Sequence, residues 1–167
     1  MDRAKPWWRR LAAGLAPSPP DVEDRLARGY AAEVRLARDL AQDAGSLVRY
    51  PHQRARVLDA AERARGRAQR IRRALDGLGH AVIEPVAGSG RREATAWERL
   101  RAGLSELSGM SEACLADAQA VEREHPGIAG LLHELHGEMV EDRRDLIWTL
   151  AQVGATAAGS SLHEAAA

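Results

Sequence analysis

Three charged residues interrupt the apolar pattern of this sequence at positions where a core side chain is expected. Asp142 lies between Met139 and Leu146 in a row of apolar residues spaced three or four apart, and Glu33 and Arg67 interrupt two similar rows. Such spacing marks one face of an α-helix. A buried charge costs several kcal/mol unless it is paired or bound to a metal ion. These three residues are therefore the first candidates for a functional site.

Four long amphipathic helices are expected to position these residues. The apolar rows predict helices over about residues 21–48, 51–78 and 93–124, and a fourth from the turn at His125 to Val153. The first and last connections are short, whereas residues 79–92 form a Gly- and Pro-containing segment long enough to cross a bundle. The sequence therefore predicts an all-α fold, an antiparallel four-helix bundle with a long crossover between the second and third helices.

The bundle is expected to occupy residues 21–153, with segments of different composition on either side. Residues 1–20 form a basic leader that contains Trp7 and Trp8 and ends in a Pro-rich stretch. This leader could pack on the bundle, dock to a protein or anchor weakly at a membrane surface, where Trp beside Arg is favourable. Residues 154–167 are small and polar, and we expect a flexible tail there.

Composition argues against several classes of protein. The 24 basic and 24 acidic residues give a net charge of zero, so no specific nucleic-acid partner is expected. Cys114 is the only cysteine, which argues against a disulfide framework and predicts a small buried hydrophobe. No apolar run approaches the roughly 20 residues that span a bilayer, and the N-terminus lacks a secretory apolar region. We therefore expect a cytoplasmic protein without a transmembrane segment.

The helical segments resemble the ferritin-like, rubrerythrin-type family over roughly residues 22–152. The likeness is carried by AAEVRLARDLA in the first helix and by RYPHQRARVLDAAERARGRAQRIRRALDGLGH in the second. It continues through WERLRAGLSEL in the third and IAGLLHELHGEMVEDRRDLIWTLAQ in the fourth. Members of this family place a Glu on the first and third helices and a Glu-x-x-His on the second and fourth, and bind two iron or manganese ions there. The resemblance implies a ferritin-like bundle.

The second and fourth helices depart from the ligands of that family. When the second helix is aligned on its LDGLG ending, Ala64 stands at the Glu position and Arg67 at the His position. On the fourth helix Met139 stands at the Glu position and Asp142 at the His position. Both Glu-x-x-His signatures are therefore absent from the helices that should carry them.

The resemblance implies a changed centre on the remaining helices as well. The Glu position of the third helix falls on Leu107, with Glu106 one residue away, and only Glu33 keeps its ligand type. Arginine is permanently cationic and cannot share a small site with metal ions. We therefore expect a metal-free bundle, without a cofactor, in which a buried network of Glu33, Arg67 and Asp142 replaces the di-metal centre.

Such a bundle is expected to act as a structural or protein-binding module, as a homo-oligomer or with an unidentified protein partner. One alternative is a ferritin-like oxidase or iron-handling protein, whose iron or manganese would bind a rearranged set of Glu33, Glu62, Glu106, His136 and Asp142. Another alternative is a surface for an anionic partner, formed by the arginine-rich second helix and the leader.

Overall fold

Four α-helices make up most of the chain that the computed structural model describes, which comprises residues 21–85 and 95–164. Side chains are described as far as residue 155. No strand occurs in these ranges. The helices are α1 (Val22–Ala44), α2 (Pro51–Gly77), α3 (Ala96–Val121) and α4 (Pro126–Glu164).

The helices form the predicted antiparallel four-helix bundle. The pairs joined by short turns, α1 with α2 and α3 with α4, make the larger interfaces, and smaller interfaces join α1 to α3 and α2 to α4. Arg25 near the start of α1 pairs with Asp117 near the end of α3, and Arg35 reaches Glu106 further along, so these two helices are antiparallel. The long connection between α2 and α3 is also present, although residues 86–94 lie outside the described part.

The end of α1 differs from the prediction. The helix ends at Ala44, and the amide of Gly45 donates to the carbonyls of Asp43 and Gln42 in a tight turn. The apolar row continues to Leu47, which is completely buried although it lies in the turn. Because Leu47 continues the apolar spacing of the helix, the predicted helix extended beyond its actual end.

The end of α2 is a Schellman motif. Gly79 has a φ of +76°, a left-handed conformation that glycine adopts without steric cost. The amide of His80 donates to the carbonyl of Leu75 over 3.0 Å, and the amide of Gly79 donates to the carbonyl of Asp76 over 3.0 Å. The glycine that ends the predicted second helix therefore has a definite structural role.

The last two helices begin and end differently from the predicted bounds. Thr95 caps α3 through a capping box, since its side chain accepts from the amide of Glu98 and the Glu98 side chain accepts from the amide of Thr95. The fourth helix continues past Val153 to Glu164, because the alanines that follow favour helix. The helix therefore ends later than predicted, and the division into leader, bundle and tail stays a prediction. The Trp-containing leader lies outside the described residues.

The core lies between the four helices and is built mainly from aliphatic side chains. Its completely buried members include Val57, Leu75, Leu107 and Leu135. No helix in the described ranges combines the length and the apolar character needed to cross a membrane.

Candidate functional site

A buried guanidinium joins three helices in the interior of the bundle. Nε of Arg67 on α2 donates to Glu33 Oε1 on α1 over 2.7 Å, and Nη1 donates to Asp142 Oδ2 on α4 over 2.6 Å. Arg67 and Glu33 are 0% exposed and Asp142 is 2% exposed. The structure thus places the three predicted residues in direct contact. Sequence alone could not establish this contact, because it depends on how far each helix is shifted along its neighbour.

Small residues on α2 leave room for this arginine. Ala60, Ala61, Ala64 and Ala68 are all buried, and they occupy the same helical face as Arg67. An arginine side chain needs far more volume than alanine, and its neighbours on the helix provide that volume by being small. The guanidinium is held between α1 and α4 by its hydrogen bonds to Glu33 and Asp142.

A second arginine, Arg63, completes the network and was not among the predicted residues. Nε of Arg63 donates to Asp142 Oδ1 over 2.5 Å, and its Nη2 donates to Asp145 Oδ2 over 3.4 Å. Arg63 precedes Arg67 by four residues and therefore lies on the same side of α2. The two oxygens of Asp142 thus accept from two different arginines, and the formal charges of the four network residues, Glu33, Arg63, Arg67 and Asp142, cancel.

Burial and the neighbouring charges act in opposite directions on the pKa values of this network. Burial raises the pKa of Glu33 from 4.5 to about 7, and the hydrogen bond and charge of Arg67 offset this only in part. Burial lowers the pKa of Arg67, but the hydrogen bonds and charges of Glu33 and Asp142 outweigh it and raise the pKa above its ordinary value. Arg67 therefore stays charged, whereas Glu33 titrates near neutrality.

Two polar atoms of the network are buried without a partner. Among the described residues, neither Glu33 Oε2 nor Arg67 Nη2 has a hydrogen-bond partner. An unpartnered buried polar group costs about 1–3 kcal/mol. The Glu33 proton can reside on Oε2 without breaking the hydrogen bond that Oε1 accepts from Arg67.

The third helix adds neutral groups to this region. His136 Nδ1 on α4 lies 3.0 Å from both Oγ and the carbonyl oxygen of Ser111 on α3. A carbonyl oxygen only accepts, so a hydrogen bond from Nδ1 to that oxygen requires the proton on Nδ1, and in that tautomer Nδ1 is not a base toward the Ser111 hydroxyl. Cys114 is 8% exposed and its Sγ donates to the carbonyl of Leu132 over 3.2 Å, and burial raises the pKa of its thiol to about 12. This side of the core therefore lacks an activated nucleophile.

The rearranged metal-ligand set is not brought together. Glu62 is largely exposed and pairs with Arg65, Glu106 lies 3.6 Å from Arg35, and His136 bonds to α3 as described above. Within the two described ranges, no group of three or more His, Cys, Asp or Glu residues lies close enough to hold a metal ion.

The residues at the centre also do not fit the di-metal site that the fold family implies. Both carboxylates there, Glu33 and Asp142, already accept from guanidinium groups. On α2 and α4, the positions at which the resemblance implies the glutamate of a Glu-x-x-His pair hold Ala64 and Met139, which are buried and apolar.

The basic face of α2 is largely neutralised by neighbouring acids. Arg70 Nη2 lies 2.5 Å from Glu138 Oε2, and Arg72 Nη1 lies 3.1 Å from Glu84 Oε1. Three further arginines of this helix, Arg63, Arg65 and Arg67, are paired as described above. The high arginine content of α2 therefore gives less free positive charge for an anionic partner than the sequence suggests.

Helix order, antiparallel packing and the long crossover define a ferritin-like four-helix bundle. No protein-family model and no curated protein sequence matches this chain. Among solved structures, the bundle is similar to the crystal structure of a variant of PmFTN, a ferritin, soaked in iron. The TM-score is 0.69 at 12% sequence identity, and the match covers 81% of this chain and 90% of that chain. At this identity the likeness shows the fold alone.

Proposed function

We propose that this protein is a degenerate, metal-free relative of the rubrerythrin-type proteins that acts as a structural or protein-binding module. The observation that carries the proposal is the completely buried Arg67, bonded to Glu33 and Asp142 on two other helices. Its guanidinium cannot be deprotonated in a protein, so a fixed positive charge occupies the space between the two carboxylates. The network supplies the charge that metal ions supply in that family.

The network is better suited to fixing the arrangement of the helices than to adding net stability. Desolvation of a buried ion pair cancels much of its attraction, and two atoms of this network have no hydrogen-bond partner among the described residues. Its bonds form only when α1, α2 and α4 have one particular register. A scaffold that presents a defined surface needs such a register.

The binding part of the proposal rests on exposed apolar side chains of α4. Val140 is 42% exposed and Ile147 is 47% exposed, and their separation of seven residues places them on one face. Trp148 is 45% exposed beside them, with the guanidinium of Arg56 stacked 4.1 Å from its ring centroid. Exposed apolar and aromatic side chains are typical of protein interfaces. We propose a homo-oligomer or another protein partner at this face, in the cytoplasm.

Metal analysis tests the central claim. The full chain would be purified without chelator, loaded anaerobically with ferrous iron or manganese, desalted and analysed for metal content. We expect only trace metal. Retention of about two equivalents per chain, with oxidation of the iron on exposure to air, would overturn the proposal and favour the iron or manganese alternative.

A restored variant serves as the matched control. Ala64→Glu and Arg67→His on α2, with Met139→Glu and Asp142→His on α4, recreate both Glu-x-x-His pairs. Circular dichroism would establish that the variant is folded. Metal uptake by the restored variant and not by the natural chain supports the proposal, whereas equal uptake by both contradicts it.

A further inference from the structure

A groove of about 660 Å³ lies between α1 and α3. At one end of this interface the helices approach closely, since a Leu40 methyl lies 3.4 Å from the position that a Cβ on Gly103 would occupy. Several of the residues that line the groove from the two helices are small, and they include Gly29, Ala32 and Ala113. Small side chains cannot interdigitate across the space between two helices, so the groove stays open.

The floor of the groove is apolar and belongs to the core. It is lined by Leu26 of α1, Ile71 of α2, Cys114 of α3 and Leu132 of α4. Small-molecule sites typically have volumes of roughly 300–1,000 Å³ and mostly apolar walls, and they occur between the helices of bundles. The groove therefore has the size and lining that suit the apolar body of a small molecule.

The rim of the groove is positively charged on the α1 side. Arg25, Arg28 and Arg35 line it from α1, whereas Asp117 is the acidic residue that lines it from α3. Arg25 pairs with Asp117, and Arg35 lies 3.6 Å from Glu106. Arg28 is exposed, its Nε donates to the carbonyl of Asp24 over 3.3 Å, and it forms no ion pair within the described part of the chain. Its guanidinium can therefore receive an anionic group at the mouth of the groove.

We propose that this groove binds a fatty acid, with the acyl chain on the apolar floor and the carboxylate at Arg28. Arginine binds carboxylates through charge-assisted, often bidentate hydrogen bonds. Residues 1–20 are a less suitable occupant, because they carry four basic residues and one acidic residue and share the sign of the rim. The groove shares Cys114 and Met139 with the surroundings of the central network, but fatty-acid binding there does not depend on whether that network holds metal.

Calorimetric titration of the full chain with monomeric laurate tests the site. Dodecanol, which has the same chain without the charge, and dodecyltrimethylammonium, which has the opposite charge, are the comparison ligands. We expect about one laurate per chain, binding of dodecanol about two- to fivefold weaker, and the weakest binding for the cation. Absence of laurate binding, or equal binding of the three ligands, would overturn the proposal.

Variants separate the roles of the rim and the floor. Arg28→Gln should weaken laurate about two- to fivefold and leave dodecanol unchanged, because an exposed ion pair contributes little. Ala113→Leu should weaken both ligands by filling the groove. Arg73→Gln and Ala55→Leu are the matched controls, since both residues are exposed on α2 and lie outside the groove. Laurate binding that survives Ala113→Leu, or responds equally to Arg28→Gln and Arg73→Gln, would contradict the assignment.

Discussion

Arg67 and Glu33 are both completely buried, and Nε of Arg67 donates to Glu33 Oε1 over 2.7 Å. Neither side chain can reach water, so each depends on the other to balance its charge or satisfy its polar atoms. Asp142 shares this dependence through Nη1 of the same guanidinium. Loss of the arginine would therefore affect two acids on two other helices.

Replacement of Arg67 by alanine should lower the free energy of unfolding by about 3–5 kcal/mol, because it leaves Glu33 buried without a cation and Asp142 with Arg63 as its remaining cation. Chemical denaturation followed by circular dichroism measures this change. Arg65→Ala is the matched control on the same helix. Arg65 pairs with exposed Glu62, and its loss should cost less than about 1 kcal/mol. Equal stability of Arg67→Ala and the natural chain would show that the network does not contribute.

Stability should depend on pH through Glu33. Burial raises the pKa of Glu33 from 4.5 to about 7, so the folded state binds this proton more tightly than the unfolded state. The stabilisation from this tighter proton binding is fully present below the unfolded-state pKa of 4.5 and is lost as the pH rises through the folded-state pKa of about 7. It amounts to about 3 kcal/mol. Glu33→Gln removes the titrating group. The stability of the natural chain relative to this variant should therefore fall between about pH 4 and ~pH 8. Parallel stability curves for the two proteins would contradict the effect.

The positions of the three central charges could be predicted from the sequence because each interrupts an otherwise apolar helical row. Arg63 could not be identified in this way. Its side chain is 42% exposed, and it does not interrupt an apolar row in the sequence, so the pattern indicates an ordinary solvent-facing arginine. Arg63 precedes Arg67 by four residues, and this spacing could have predicted that both arginines reach the same acid.

The helix ends were harder to predict than the helices, because local and tertiary effects compete there. Leu47 is completely buried but lies outside any helix. Its place in the apolar row therefore made the predicted α1 too long. Thr95 and Glu98 form a capping box that is visible in the sequence as Thr-x-x-Glu, yet the predicted helix began before it. The α1–α3 groove could not be predicted either, since it depends on the separation of two helices in space.

The thiol of Cys114 should be nearly inert in the folded protein. At about pH 8 the thiolate fraction of a group with a pKa of about 12 is about 1,000-fold below that of a group with a pKa of 9.0. Burial further restricts access to the sulfur. The rate of reaction with DTNB should therefore be at least ~100-fold lower in the native chain than in urea. Similar rates in the two states would show that Cys114 is accessible.

Two neighbouring glycines should respond to alanine with opposite signs. Gly79 has a left-handed φ of +76°, so Gly79→Ala should lower the free energy of unfolding by about 1–2 kcal/mol. Gly77 is the last residue of α2 and has no atom within 4 Å of an added Cβ. Gly77→Ala should instead raise stability by about 0.5–1 kcal/mol. Thermal denaturation of the two variants measures both changes, and the absence of a loss of stability in Gly79→Ala would contradict the Schellman assignment.

The exposed apolar face of α4 should control self-association. Val140 and Ile147 lie on one face of the helix, and a charge at either position would be costly to bury in an interface. The natural chain is expected to form a homo-oligomer, and the double variant Val140→Glu, Ile147→Glu should shift it to monomer. Size-exclusion chromatography with light scattering measures the mass of each. Val48→Glu is the matched control, because Val48 is a 74% exposed apolar residue in the turn after α1. A monomeric natural chain, or an equal mass for the natural and double-variant chains, would contradict self-association through this face.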